Sequence, residues 1–339
     1  MRQFYAPPSG YRNDFGEFRS PLKFADGSRV VRAKDWSKRR EEILHSWHAI
    51  MGRWPELLEN PKFDILGSTN REDLVEQRVR VEIAKGQTVA GYLLSPTNTN
   101  KRLPGVFIPF YEPETSIGRG KPFLDFGYQL SKRGFVTLSI GSPGGDAWKP
   151  DRSGATCQPL SFLAYIAANC HTALSKLPYV DAQRIGIMGH SYGGKWAMFA
   201  SCLYDKFACA VWSDPGIVWD EMRPNVNYWE PWYLGYDPKV TRRPGVPSEA
   251  NPRTGAYKEL WARGYDLQEL QALMAPRPFL VSGGSEDPVE RWRALNHAVA
   301  VNALLGYSNR VAMTNRKMHT PTEEANRQIL SFFEEWLKP

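Results

Sequence analysis

The run Gly189-His190-Ser191-Tyr192-Gly193-Gly194 follows the apolar stretch 184–188 and opens a helical pattern over 191–203. A serine between a buried strand and a helix, with glycine two positions before and two after it, is the pattern of a sharp strand–turn–helix elbow. Larger side chains at those two positions would collide as the backbone folds back on itself. Such a turn lifts the serine hydroxyl clear of the sheet. A hydroxyl is a weak nucleophile at neutral pH until a base takes its proton, and the base needs a third group to orient it. Ser191 is therefore the candidate nucleophile, and its partners must come from elsewhere in the chain.

Strands and helices alternate on both sides of the elbow. Before it, 106–110 and 135–140 read as short buried strands, and 123–133 and 160–177 as helices. After it, 208–213, 278–282 and 310–314 read as strands, and 289–305 and 322–337 as helices. This alternation predicts an α/β fold with a mostly parallel central sheet and helices on both faces. Residues 77–84 and 88–94 flank Lys85-Gly86-Gln87 and read as a hairpin at its start. Residues 1–75 are expected to form a helical extension packed on a main domain of residues 76–339. Within the extension, Ile43, Trp47, Ile50 and Met51 share one helical face, and Pro55 ends the run. Between 215 and 256, after the sixth predicted strand, the pattern breaks into Trp, Tyr, Pro and Gly. A long irregular insertion in a compact domain is usually functional, and this one follows a strand end on the edge where α/β sheets bind ligands.

The base is expected after the last strand. His319, in Met318-His319-Thr320-Pro321, lies there, whereas His45, His48, His171 and His297 fall in helical patterns and His190 lies within the elbow. The acid is expected after the penultimate strand, in Gly283-Gly284-Ser285-Glu286-Asp287-Pro288. Asp287 is the first choice. Its neighbour Glu286 and Asp214, at the end of 208–213, are the alternatives. Ser191, Asp287 and His319 then follow the chain order this architecture uses. The negative charge that develops on an attacked carbonyl needs donors aimed at it. The backbone N–H of Tyr192, at a helix N-terminus, supplies one, and Tyr111, just after 106–110, the other.

The elbow Gly-His-Ser-Tyr-Gly-Gly-Lys, the sheet pattern and the Ser/Asp/His order resemble the α/β-hydrolase superfamily. Within it they resemble bacterial acetyl xylan esterases and dienelactone-hydrolase-like proteins, from about Val79 to the C-terminus. Phe24-Ala25-Asp26-Gly27, Trp36 and Arg39-Arg40 resemble the lead-in of carbohydrate esterases, including glucuronoyl esterases. The glucuronoyl esterase elbow typically reads Gly-Cys-Ser-Arg-x-Gly-Lys. Gly189, Ser191, Gly194 and Lys195 match it, while His190 and Tyr192 replace the cysteine and arginine. That arginine helps to stabilise the oxyanion in the family, so its loss points towards simpler acyl groups. The matching lysine contacts a sugar hydroxyl there, which makes Lys195 a candidate substrate contact. The resemblance implies a serine carboxylic-ester hydrolase that removes acetyl groups from a polysaccharide or its fragments. A glucuronoyl-type esterase and a prolyl-oligopeptidase-like peptidase are the alternatives. The latter usually carries a large propeller or similar gating domain, and only about 75 residues precede the hairpin here. A non-catalytic carbohydrate-binding homologue is a further alternative.

Trp212, Trp219, Tyr228, Trp229, Trp232, Tyr233 and Tyr236 crowd the insertion and the strand before it. Sugar rings pack their C–H faces on aromatic faces, so Trp229 and Trp232 are candidate substrate contacts. The same rings would serve equally to pack the insertion on the core. The net charge of +7 is spread along the chain without a nucleic-acid-binding motif, so a solvated basic surface is expected and no nucleic-acid partner. No apolar run approaches the roughly 18 residues of a membrane span. Residues 1–10 lack the apolar core of a signal peptide. The expected compartment is the cytoplasm, or the periplasm or exterior if a leader was removed. Cys157, Cys170, Cys202 and Cys209 have neither CxxC nor metal-ligand spacing, so no metal is expected, and the chemistry calls for no cofactor.

Overall fold

The computed structural model describes residues 1–97, 101–224, 227–231, 233–243 and 245–338. Helix α1 (Ala33–Met51) buries Trp36, Arg39, Ile43, Trp47 and Met51, spaced three and four apart along one face. Strands β1 (Phe63–Arg71), β2 (Leu74–Ala84) and β3 (Gln87–Pro96) follow as an antiparallel meander. In β2 the alternate residues Val79, Val81 and Ile83 are buried, the period-2 signal that identified the hairpin. Strand β1 carries no such signal. Its residues are almost all solvent-facing, with Ile65 and Leu66 exposed, and it escapes pattern reading for that reason.

The remaining elements alternate. They are β4 (Leu103–Pro109), α2 (Phe126–Lys132), β5 (Val136–Ile140), α3 (Pro159–Ser175), β6 (Val180–His190), α4 (Tyr192–Leu203) and β7 (Ala210–Ser213). After the insertion come α5 (Gly255–Ala262), α6 (Leu267–Ala272), β8 (Phe279–Gly283), α7 (Trp292–Leu304), β9 (Val311–Asn315) and α8 (Glu323–Leu337). Among the described residues, nine strands form one sheet in the order β1-β2-β3-β5-β4-β6-β7-β8-β9. From β5 to β9 every pairing is parallel. This is the α/β-hydrolase fold. Because β1 adds a strand, the aromatic insertion follows the seventh strand and not the sixth. The short α5 and α6 were also invisible to a periodicity reading.

Alternation along the central strands divides the core. Phe107, Ile187, Trp212, Val281 and Met313 pack on one side with residues of α1, α3, α4 and α7. Ile108, Met188, Val211, Leu280 and Ala312 pack on the other with α2 and α8. The N-terminal segment is locked on by charge as well as by apolar contact. The buried Arg39 guanidinium lies 2.5 Å from the fully buried carboxylate of Glu269 on α6, which also accepts from Arg19 at 3.0 Å. Burial raises the Glu269 pKa, and the two guanidinium charges oppose that rise. Cys157, Cys170, Cys202 and Cys209 are all buried and free.

Helix α8 seals the second face directly behind the elbow strand. Phe333 is fully buried and lies so close to β6 that a Cβ on Gly186 would come within 2.8 Å of its ring. Replacing Phe333 by alanine removes this contact and leaves a void, so urea denaturation of Phe333→Ala should show a loss of about 3–5 kcal/mol. A loss below about 1 kcal/mol would mean that α8 is not part of the cooperative core.

Candidate active site

The elbow is held in a conformation that only its glycines permit. Ser191 has φ 56° and ψ −117°, in sparsely populated backbone space. A Cβ on Gly189 would fall 2.1 Å from the Gly193 carbonyl oxygen, and one on Gly193 would fall 2.2 Å from the Pro109 oxygen. The Ser191 N–H donates to the Ser213 carbonyl at 2.8 Å, fastening the elbow to the end of β7.

His319 stands in the loop between β9 and α8, with Nε2 2.8 Å from Ser191 Oγ. Its Nδ1 is 2.7 Å from Oδ2 of Asp214, the residue that follows β7. Ser191, His319 and Asp214 thus form one continuous hydrogen-bonded chain. The second Asp214 oxygen accepts backbone N–H groups from Gly284 (2.6 Å), Glu286 (3.1 Å) and Asp287 (2.8 Å). Burial works to raise the Asp214 pKa. The His319 bond, the Arg316 charge and the Asp287 N–H outweigh it and hold the carboxyl below its usual range.

This corrects the first expectation for the acid. Asp287 does not reach the histidine. Its carboxylate accepts the N–H groups of Gly216 (2.8 Å) and Ile217 (2.7 Å), and so braces the turn that follows Asp214. Burial, and then the charge of Asp214, push its pKa up to about 7. Glu286 is not at the histidine either; its carboxylate lies 3.3 Å from Arg223 Nε. Spacing along the chain could not separate Asp214 from Asp287, because they follow the neighbouring strands β7 and β8 and only the turn geometry decides which carboxylate points at the imidazole.

Two further residues stand at the site, Arg316, which sequence reasoning misses, and His190, which it places in the elbow without a role. The largely buried Arg316 donates to the carbonyls of Ser282 (2.7 Å), His319 (2.6 Å) and Thr320 (3.1 Å), tying the histidine loop to the end of β8. Its only sequence signal is a position three residues before His319. His190 lies with its ring 4.6 Å from that of His319 and its Nδ1 3.1 Å from Ser213 Oγ. Burial, and then the neighbouring His319, push its pKa down to about 3, so it is neutral at neutral pH.

Tyr192 opens α4, which sets its N–H at the positive end of the helix beside Ser191. Tyr111 lies on the loop after β4. Its ring stacks on Tyr192 at 4.8 Å, and its hydroxyl is in hydrogen-bonding reach of Ser191. The side chain of Tyr111 therefore faces the nucleophile. These groups border a cleft of about 380 Å³ lined by Phe110, Tyr111, Lys121, Leu124, Ser191 and His319, among others.

The expected substrate contacts lie elsewhere. Lys195 is buried on α4 with its Nζ over the rings of Tyr228 (4.7 Å) and Tyr233 (4.5 Å), and burial lowers its pKa to about 7. Trp229 is fully buried, and Trp232 lies outside the described residues. None of the described residues of 215–256 lines the cleft. These rings pack the insertion on the core because burying them removes more apolar area from water than a half-open groove would. Among the described residues no group of three or more His, Cys, Asp or Glu could hold a metal ion. No helix among them is long and apolar enough to cross a membrane.

Known structures share this architecture. A glucuronoyl esterase from Solibacter usitatus superposes with a TM-score of 0.71 at 18% identity, covering 94% of this chain and 97% of that one. A carbohydrate esterase family 15 glucuronoyl esterase from Caldicellulosiruptor kristjansonii gives 0.65 at 20% identity, covering 96% and 91%. A Bacteroides fragilis protein assigned as an acetyl xylan esterase gives 0.60 at 15% identity, covering 87% and 79%. At these identities the likeness concerns the fold alone. No curated protein sequence matches the chain. The model of the prolyl oligopeptidase family matches residues 166–338, just over half of the sequence, including the elbow, Asp214 and His319. The chain belongs to the prolyl oligopeptidase family.

Proposed function

We propose that this protein is a serine hydrolase that removes acyl groups, foremost acetyl, from esterified carbohydrate through an acyl-enzyme on Ser191. The observation that carries the reading is the hydrogen-bonded chain from Ser191 through His319 to the ionised Asp214, open to a cleft. His319 Nε2 takes the Ser191 proton as Oγ attacks the ester carbonyl. Asp214 keeps the Nδ1–H tautomer in place and stabilises the imidazolium. The Tyr192 N–H and the Tyr111 group beside Ser191 receive the developing oxyanion. His319 then hands its proton to the departing alcohol, and water repeats the sequence on the acyl-enzyme. The exposed Glu112 and Lys121 on the cleft lining suit a hydroxyl-rich leaving group. The esterase names of the structural neighbours, which match over most of both chains, support ester over amide chemistry.

A second reading, peptidase activity, is favoured by membership of the prolyl oligopeptidase family. Release of acetate from acetylated xylan and of p-nitrophenol from its acetate ester distinguishes the two. Both should proceed, and Ser191→Ala should lower kcat by about 10⁶-fold, as loss of a triad serine does elsewhere. Faster cleavage of peptidyl amides than of either ester would favour the peptidase, and no acyl release by folded protein would contradict the proposal.

The acid is tested separately. By analogy with other triads, Asp214→Asn should lower turnover about 10⁴-fold. Asp287→Asn removes only a brace of the turn and should cost far less. The reverse order would return the role to Asp287.

A further inference from the structure

Beneath the cleft floor lies a second, smaller space. It is bounded by Ile108, Phe110, Thr115, Leu124, Phe126 and His190, among others. Phe110, Thr115, Leu124 and His190 line both spaces, so the small one is a recess adjoining the cleft that holds Ser191 and His319. The two differ greatly in size. The cleft measures about 380 Å³ and the recess only about 10 Å³. The recess has room for one small group.

Its chemistry is as restrictive as its size. The polar side chains in its wall are already engaged. Thr115 Oγ1 donates to Glu112, Ser116 Oγ lies 2.8 Å from Ser139 Oγ and accepts the Gly127 N–H at 3.2 Å, and His190 Nδ1 faces Ser213. The neutral imidazole of His190 brings no charge, and Ile108, Phe110, Leu124 and Phe126 supply apolar surface. The walls are also fixed. Ile108 and Phe126 belong to the packed core beneath, with Val106, Leu130 and Phe135 behind them. A tightly packed wall of this kind does not retreat for one more methylene without strain.

We infer that this recess receives the acyl group of the ester and that Leu124, between cleft and core, limits that group to acetyl or little more. The inference rests on the esterase reading above. It assigns the acyl side of the substrate to the recess and leaves the wide cleft, with Glu112 and Lys121 on its lining, for the alcohol side, where a sugar fits.

The test is kcat/KM for the p-nitrophenyl esters of acetate, propionate, butyrate and hexanoate, with wild type, Leu124→Ala and the milder Leu124→Val. For wild type the value should fall steeply beyond acetate, since one methylene in a fitted apolar pocket is worth roughly 10- to 200-fold. Leu124→Ala should raise the butyrate-to-acetate ratio at least about tenfold, and Leu124→Val should raise it by less. If Leu124→Ala does not fold, the wild-type series and Leu124→Val still decide. Equal cleavage of acetate and hexanoate by wild type, or a ratio unmoved in a folded Leu124 variant, would overturn the recess while leaving the esterase reading intact. Cleavage of none of the four esters would contradict that reading and the recess with it.

Discussion

The Asp214 carboxylate joins strand ends that are otherwise separate. It stands where β7 stops, and one oxygen gathers three N–H groups from the loop after β8 while the other holds His319 from the loop after β9. The carbonyl of Ser213, the preceding residue, accepts the Ser191 N–H at the end of β6. A buried carboxylate with this many donors favours its ionised form, despite the cost of desolvation. That charge is what an imidazolium needs opposite it. If the charge were lost, the histidine would lose its orientation and the loop after β8 its anchor. Arg316 reinforces the same junction from the other side by binding the His319 carbonyl and the end of β8.

Sterics and electrostatics therefore divide the work. The glycines of the elbow allow Ser191 its strained backbone, and the parallel sheet behind it, sealed by α3, α4 and α8, keeps that strain from relaxing. The polar groups then need only small loops to converge on the serine. This chain keeps two buried carboxylates after neighbouring strands, with different tasks. One, held below the usual carboxylate range, touches the ring; the other, whose pKa burial raises, supports the turn that follows the first. Fold membership says little about what enters such a site, because one scaffold hosts many reactions. The cleft and its recess bear on that more directly.

Much of this arrangement was legible in the sequence, and the gaps have physical causes. The elbow could be read because sterics demand small residues at fixed offsets from Ser191. His319 could be read because the other histidines fall within helices or the elbow. Strand β1 could not, since an exposed edge strand needs no alternation, and α5 and α6 are too short to show a period. The choice between Asp214 and Asp287 depends on the left-handed backbone of Asp214 (φ 52°) and on which N–H groups each carboxylate captures. Neither property leaves a local signature. Lys195 and Trp229 illustrate the opposite error. Their residue types suit a sugar, but burial decided their place, and a lysine over two tyrosine rings satisfies α4 packing just as well.

The account stands or falls on which carboxylate holds the His319 Nδ1 proton. Proton NMR of the uninhibited protein reads this directly, because a proton shared between an imidazole and a buried carboxylate resonates far downfield of all other N–H signals. The structure predicts that this resonance is present in wild type, survives Asp287→Asn and vanishes in Asp214→Asn while the remaining spectrum stays folded. A resonance that survives Asp214→Asn but is lost in Asp287→Asn would contradict the account.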